Sequence, residues 1–383
     1  MNLSHRIALD LTVKQRRYCA RAAGTARFVW NWALAEWDRK YREGGKPSGL
    51  GLKAAFNAVK YQAFPWMRDV HRDAHSQPFA NLQKAFVAFF KGTAKRPTFK
   101  SKRRCRDSFY VANDKLRIDG KRVRLPVLGW VRMTEALRFT GKAMSATVSR
   151  TADRWFISFQ VDVGDYRRER KGDGAVGVDL GLKHFATLST GEQIDAPKPL
   201  KRFLRRLGLA QRSLSRRLPG SMNREKQRRK VAMIHARVAA IRNDFLHKLS
   251  TRLCENQAAI GVENLNVAGM MRNRRLSRAI SDVGWGEFSR QLNYKGPIFG
   301  CQVTAADRWE PSSKRCHRCG TVKATLALSE RTFYCESCGL VCDRDFNASM
   351  NLVPAACRES TPGDIASAMV EPETISCSLV GTK

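Results

Sequence analysis

The sequence predicts an α/β protein of several domains, and three observations carry that prediction. Strict alternation in Trp155-Phe156-Ile157-Ser158-Phe159-Gln160-Val161 predicts strands with one buried face. Ala22, Ala26, Val29, Trp30, Ala33 and Trp37 recur at three- and four-residue steps and predict a long amphipathic helix. Two Cys-x-x-Cys pairs, Cys316/Cys319 and Cys335/Cys338, predict a small ribbon ordered by a metal. With 383 residues there is chain enough for two or three ordinary cores.

The elements follow in order. A short strand at Ile7 to Leu11 precedes the long helix, Val13 to Arg42, which Gly44-Gly45-Lys46-Pro47 ends. Helices at Leu52 to Ala63 and Gln77 to Phe90 complete a helical lobe inserted into something else. From Lys91 to Arg106 eight positions are Lys or Arg, a density that suits phosphates. Strand-like segments then run at Ser108 to Val111, Lys115 to Ile118, Arg122 to Leu125, Ala143 to Arg150 and Arg154 to Val163. Together with the Asp119-Gly120 turn they predict a β-barrel-like platform, which the N-terminal strand would complete. A charged linker at Tyr166 to Gly174 opens the second half. Residues 201–230 carry twelve basic side chains and one acid, Glu225, on two helices joined at Pro219-Gly220, the second running on to about Leu253.

Charge narrows the function classes. Seventy Lys and Arg against 34 Asp and Glu leave a net +36, which calls for a polyanionic partner, and nucleic acid is the leading one. No apolar run approaches the ~20 residues of a spanning helix, and Met1 to Leu11 lacks a signal-peptide core. No membrane partner is therefore expected. The eleven cysteines sit in a basic chain without an export signal, so a reducing, cytoplasmic setting is expected.

Two motifs carry chemistry. Cys316-x2-Cys319-x15-Cys335-x2-Cys338 has the spacing of a tetrahedral four-thiolate Zn²⁺ site. Four thiolates leave no open position, so this zinc is structural. The second is a set of separated acids. Asp179 ends the apolar run Ala175-Val176-Gly177-Val178, and Glu263 follows Ala258-Ala259-Ile260-Gly261-Val262. The third segment, Asp343-Arg344-Asp345-Phe346-Asn347-Ala348, opens a helix after the ribbon. Converging carboxylates repel one another unless a cation lies between them, and hard Mg²⁺ takes oxygen ligands.

In that order, Gly177-Val178-Asp179-Leu180-Gly181, Gly261-Val262-Glu263-Asn264-Leu265, the ribbon and Asp343-Arg344-Asp345-x-Asn347-Ala348-Ser349 resemble the split RuvC-type nuclease of the TnpB family, transposon-encoded relatives of type V CRISPR effectors. Ala26-Arg27-Phe28-Val29-Trp30-Asn31, Arg242-Asn243-Asp244-Phe245 and Ile280-Ser281-Asp282-Val283-Gly284-Trp285-Gly286 extend the likeness across residues 1–353.

The resemblance implies a β-barrel-like (WED) domain at 1–12 and 107–170, with a helical recognition (REC) lobe at 13–106. It then implies an RNase H-like RuvC nuclease domain at 171–310 and 342–353, with the zinc ribbon inserted at 311–341. Residues 354–383 contain no Phe, Trp or Tyr and only two basic side chains, so their composition predicts a disordered tail. The catalytic acids would be Asp179, Glu263 and Asp345, holding two Mg²⁺; the family pattern selects Asp345 over Asp343, which is left as a helix cap. Arg331 would neutralise the transition-state phosphate. Guide RNA and double-stranded target DNA are the implied partners, with one protein on one RNA in a prokaryotic, nucleoid-associated setting. A short DNA flank would be read near Arg72 to Gln77 and Asn113. A nuclease-silent RNA-guided repressor, a compact type V effector and a cut-and-paste transposase are the alternatives.

Overall fold

The computed structural model describes residues 1–327 and 329–357. They fall into two units, divided between Asp165 and Tyr166, at the start of the charged linker.

The first unit opens with β1 (Asn2–Asp10), longer at its start than the apolar pattern predicts. Next comes α1 (Val13–Arg42), begun by a capping box in which Thr12 and Gln15 satisfy each other's backbone N–H groups. Two further helices follow, α2 (Gly49–Ala63) and α3 (Arg72–Phe90). α3 starts five residues earlier than its apolar stripe suggests and carries Pro78 in its interior. The strands are β2 (Ser108–Ala112), β3 (Arg117–Asp119), β4 (Arg122–Leu125), β5 (Gly129–Met133), β6 (Lys142–Thr151) and β7 (Arg154–Asp162).

They form one antiparallel sheet in the order β2-β6-β7-β1-β5-β4-β3, with β1 paired along β7 from Asn2↔Asp162 to Leu9↔Trp155. Its two edges, β2 and β3, are not paired with each other among the described residues. The platform expected to be barrel-like is thus an open sheet in its hydrogen bonding. β3 is three residues long and offers few ladder groups for closure. α1 serves two cores: Tyr18, Cys19, Ala22 and Ala23 lie on the sheet, while Val29, Trp30, Ala33, Leu34 and Trp37 meet Leu52, Phe56, Phe79 and Phe86.

The second unit begins with β8 (Gly174–Leu180), β9 (Ala186–Leu188) and β10 (Gln193–Ile194). The basic helices α4 (Pro199–Ser215) and α5 (Met222–Asn256) run antiparallel as a hairpin, closed where Arg224 Nη1 donates to the Leu214 and Arg217 carbonyls at 3.1 and 2.7 Å. α5 leads straight into β11 (Gln257–Val262). Then come α6 (Val267–Met270), α7 (Ser277–Val283), α8 (Trp285–Phe299) and β12 (Gln302–Ala305). The ribbon hairpin is β13 (Thr332–Tyr334) and β14 (Val341–Asp343), followed by α9 (Arg344–Asn351) and α10 (Val353–Ala356).

The five-stranded sheet runs β10-β9-β8-β11-β12, with β8, β11 and β12 parallel and the other two antiparallel. Phe185 meets Phe245 of α5 and Phe288 of α8 edge-on, each at 5.1 Å between centroids, which seats both helices over β9. α10 corrects the expected tail boundary: it carries the chain past Val353, with Leu352 and Ala355 packed on Ala306, because these small apolar residues still have sheet beneath them. The expectation of disorder for 358–383 lies outside the described residues. No helix of the described residues is long and apolar enough to cross a membrane.

Candidate active site and metal centre

β8 and β11 are adjacent parallel strands in the register Gly177↔Gly261 and Val178↔Val262. The next residues, Asp179 and Glu263, are therefore side by side at the carboxyl ends of the strands, where open α/β sheets bind ligands. Side chains two apart share a face. Gly177 and Gly261 thus lie on the face that carries both acids, and the absence of a side chain there decides what can cover it. A Cβ on Gly177 would collide with the Ser349 carbonyl oxygen, and one on Gly261 with that of Leu352. The backbone of α9 and of its junction with α10 consequently rests directly on the two strands, and the first turn of α9 brings Asp345 toward the strand ends.

Asp343 caps this helix, its Oδ1 accepting from the Asp345 and Phe346 N–H groups at 2.9 and 3.0 Å. That capping is the role the sequence left for it.

The electrostatics follow from the crowding. Asp179 is 8% exposed. Its carboxyl is raised well above the usual range, first by burial and then by the charges of Glu263 and Asp345. Burial also raises Glu263, against the Ser312 hydroxyl, which donates to Glu263 Oε1 at 3.1 Å. Arg344 opposes both shifts. It lies against Asp345, Nε to Oδ1 at 3.5 Å, and Arg331 Nη1 approaches the other oxygen of Asp345 at 3.7 Å. All three predicted acids thus interact, and Arg331 is beside Asp345. Asp345 is meanwhile held by two guanidinium groups. The oxygen-only donor set and the unfavourable ionisation of Asp179 fit a hard divalent cation.

Sequence reasoning missed Arg344 and Ser312. The signal for Arg344 was its place between two acids; nothing local marks Ser312, which lies 49 residues from Glu263.

The four ribbon cysteines converge, with all four sulfurs within 4.8 Å of one another and separations of 3.7 Å for Cys316–Cys338 and 3.5 Å for Cys319–Cys335. Bonds of about 2.3 Å to a tetrahedral zinc put its ligand sulfurs about 3.8 Å apart, so the set fits. Among the described residues it is the one group of three or more Cys, His, Asp or Glu side chains this tightly gathered. The ribbon is tied to α9 by two asparagines. Buried Asn347 accepts from His317 N at 3.1 Å and lies 3.0 Å from His317 Nδ1, while its amide donates to the Arg315 carbonyl at 2.7 Å. Asn351 donates to the carbonyls of Ser312 and Arg315 at 2.8 and 2.6 Å. The first clamp holds the helix turn that bears Asp345.

Known proteins agree with this chain over most of its length. Residues 158–274 match a family model described as a probable transposase, 285–352 a Cas12f1-like TNB domain and 1–46 a helix-turn-helix domain. A relative from Streptomyces pristinaespiralis, named "Putative RNA-guided DNA endonuclease", is 38% identical, covering 92% of this chain and 89% of its own. InsQ of Escherichia coli (strain K12), named in the same way, is 34% identical over 88% of this chain and 87% of its own. The chain belongs to the TnpB family. A solved structure of CasPhi-2 (Cas12j) bound to crRNA aligns over 94% of this chain and 99% of that one, at 11% identity and a TM-score of 0.45.

Several stretches that carry the TnpB resemblance have structural roles. Arg27 pairs with Asp107 at 2.9 Å, the Trp30 indole donates to the Thr98 carbonyl at 3.0 Å, and Asn31 exchanges two hydrogen bonds with the Lys100 backbone at 2.7 and 2.8 Å. Part of the basic run at Lys91 to Arg106 is therefore a strap on α1, and Lys100 lies over Trp30 at 3.6 Å instead of facing solvent. Arg242 bonds the backbone and carboxylate of Asp282, whose two oxygens also accept from the Leu200 and Lys201 N–H groups and so cap α4.

Beside the strap is a pocket of 180 Å³, whose lining includes Arg27, Asp73, Gln77, Asn81 and Lys100. Of the flank-reading candidates, Asp73, Ala74 and Gln77 line it. Asp73 is buried and binds the Ala112 N–H at 2.8 Å, a structural duty, while Gln77 is half-buried beside Asn81. Asn113 lies outside this lining, in the single turn Asn113–Lys115. On the α4–α5 hairpin Lys201, Arg202, Arg205, Arg206, Arg212 and Arg216 are all exposed.

Proposed function

We propose that this chain is an RNA-guided DNA endonuclease whose RuvC-type site hydrolyses the target phosphodiester. The observation that carries the reading is the approach of Asp179 and Glu263, on neighbouring parallel strand ends, to Asp345 on a helix laid over the same face. The names of the Streptomyces and Escherichia relatives support it.

Asp179, Glu263 and Asp345 would hold two Mg²⁺ ions, which supply an activated water and neutralise charge on both the attacking and leaving oxygens. Ser312 orients Glu263, and Asp343 and Asn347 set the turn that presents Asp345. Arg331, half-exposed beside Asp345, is placed to meet a phosphate oxygen. The Cys316, Cys319, Cys335 and Cys338 zinc is structural. A guide RNA lies along the exposed basic hairpin and pairs with one strand of the double-stranded DNA, and one protein serves one RNA. The pocket bearing Gln77 reads a short flank. Presence of all three acids favours an enzyme over a silent repressor.

The test is cleavage by the complex purified with its own RNA, given plasmids that match the guide and carry a randomised flank. Cutting should require the guide match, Mg²⁺ and a subset of flanks. Asp179→Ala should abolish it while leaving guided binding intact, and joint loss of both would assign that carboxylate to folding. Arg331→Ala should lower turnover at saturating DNA by about 10²-fold or more, as for other preorganised transition-state donors. An unchanged turnover removes Arg331 from the mechanism.

A further inference from the structure

We propose that Trp309 is a stacking platform for an unpaired nucleobase of the strand that enters the carboxylate site; this rests on the nuclease reading above. At 86% exposure it is the most exposed of the large apolar side chains among the described residues. An indole left in water forgoes a large burial gain, and no core residue claims it.

The loop that carries it is well held. The Trp309 N–H donates to Asp307 Oδ1 at 2.8 Å and the Glu310 N–H to the Asp307 carbonyl at 3.1 Å. Next, the Ser312 N–H donates to the Glu310 carbonyl at 2.8 Å, and Arg315 pairs with the Glu310 carboxylate at 2.9 Å. A side chain presented on such a turn is preorganised for a ligand.

Both ends of the turn are tied to the strand that delivers Glu263. The Ala306 N–H donates to the Val262 carbonyl at 2.8 Å, and Ser312 holds Glu263 itself. Three residues of chain span at most about 10 Å, so Trp309 stands within that distance of Ser312, backbone to backbone. It is thus within reach of nucleotides flanking a scissile phosphate bound at the acids.

The chemistry selects the ligand. A flat indole face next to exposed Arg308 suits a base together with its phosphate, and duplex DNA hides its base faces. Stacking accepts any base, so the platform positions a strand without reading its sequence.

The experiment compares wild type with Trp309→Ala, Trp309→Phe and Trp309→Leu in the assembled protein–guide complex, cutting single-stranded and duplex targets. Trp309→Ala and Trp309→Leu should raise KM for the single strand at least about fivefold, with Trp309→Phe close to wild type and guided duplex binding unchanged. An abasic nucleotide scanned through the positions flanking the cut should reproduce the loss in wild type at one position and add nothing in Trp309→Ala. Equal KM for wild type and Trp309→Ala overturns the platform alone. Full activity in Trp309→Leu also overturns it, since that would make the indole a simple apolar cover. A parallel fall in Tm and duplex binding in Trp309→Ala assigns the indole to folding instead. Wild type that cuts no DNA takes down the nuclease reading, and the platform with it.

Discussion

Asp179 is held where ionisation is unfavourable, at a buried strand end with two other carboxylates in range. Its folded form keeps a proton that the unfolded chain releases near the ordinary value of 3.8. Between that value and the raised folded one, the folded protein binds more protons, so stability is fully present below 3.8 and falls as pH rises through the raised value. Thermal unfolding in Mg²⁺-free buffer, with the ribbon zinc left in place, should accordingly show Tm declining with pH above 3.8, and excess Mg²⁺ should flatten the decline by binding the ionised form. Asp179→Asn should reduce the slope, the raised Glu263 keeping part of it, and should raise the Mg²⁺-free Tm at neutral pH by a few degrees, since ~1 kcal/mol moves a domain of 150–250 residues by about 2–4 °C. A lower Tm in that variant would mean that Asp179 is held by hydrogen bonds stronger than the repulsion.

At the scale of elements, the site is a helix lying on two strands, and two glycines permit it. Gly261→Ala sets a methyl against the Leu352 carbonyl and the Ala356 N–H. It should cost about 1–3 kcal/mol as overpacking and remove cleavage by lifting α9 with Asp345. Gly286, in α8, has open space where a Cβ would go, so Gly286→Ala should be neutral or stabilising by up to ~1 kcal/mol. Denaturant titration of the pair checks this, and equal effects would show that the close approach is not what Gly261 provides.

The ribbon is the second such element. It buries Cys316, Phe333 and Cys335 in a cluster too small to hold by apolar burial alone. Cys335→Ser should abolish stoichiometric zinc, measured by metal analysis, and weaken Mg²⁺-dependent cleavage through the Asn347 clamp on α9. Full cleavage without zinc would uncouple ribbon and site.

The whole molecule is governed by its +36 charge. On the hairpin, Glu225 is the one acid facing twelve basic residues in 201–230. Neutralising Lys201, Arg202, Arg205 and Arg206 to Gln should weaken RNA binding and reduce the slope of log K against log salt by about 0.7 for each single-strand phosphate that the protein no longer neutralises. Turnover of complexes already formed should not change. An unaltered salt slope would move the RNA elsewhere on the protein.

How much of this was legible in the sequence depended on the range of the forces involved. Helices, strands and ligand sets are written in neighbouring residues. α1 spans Val13–Arg42 as its apolar stripe predicts, and the four cysteines, Asp179 and Glu263 were each marked by their local context, while the family pattern chose Asp345 over Asp343. β5 escaped notice because five residues with one intervening Arg carry little periodicity, and α3 began ahead of its stripe. The rest depended on approaches between residues far apart in the chain. Backbone meeting backbone at Gly177 and Gly261, Ser312 reaching Glu263, Lys100 folding onto Trp30 and Trp309 left facing water are all such events. No local period encodes them. By itself the sequence determined which atoms this protein has for metal and phosphate chemistry; only the tertiary structure decided which of them meet, because packing, charge repulsion and burial act between surfaces that exist only once the chain has folded.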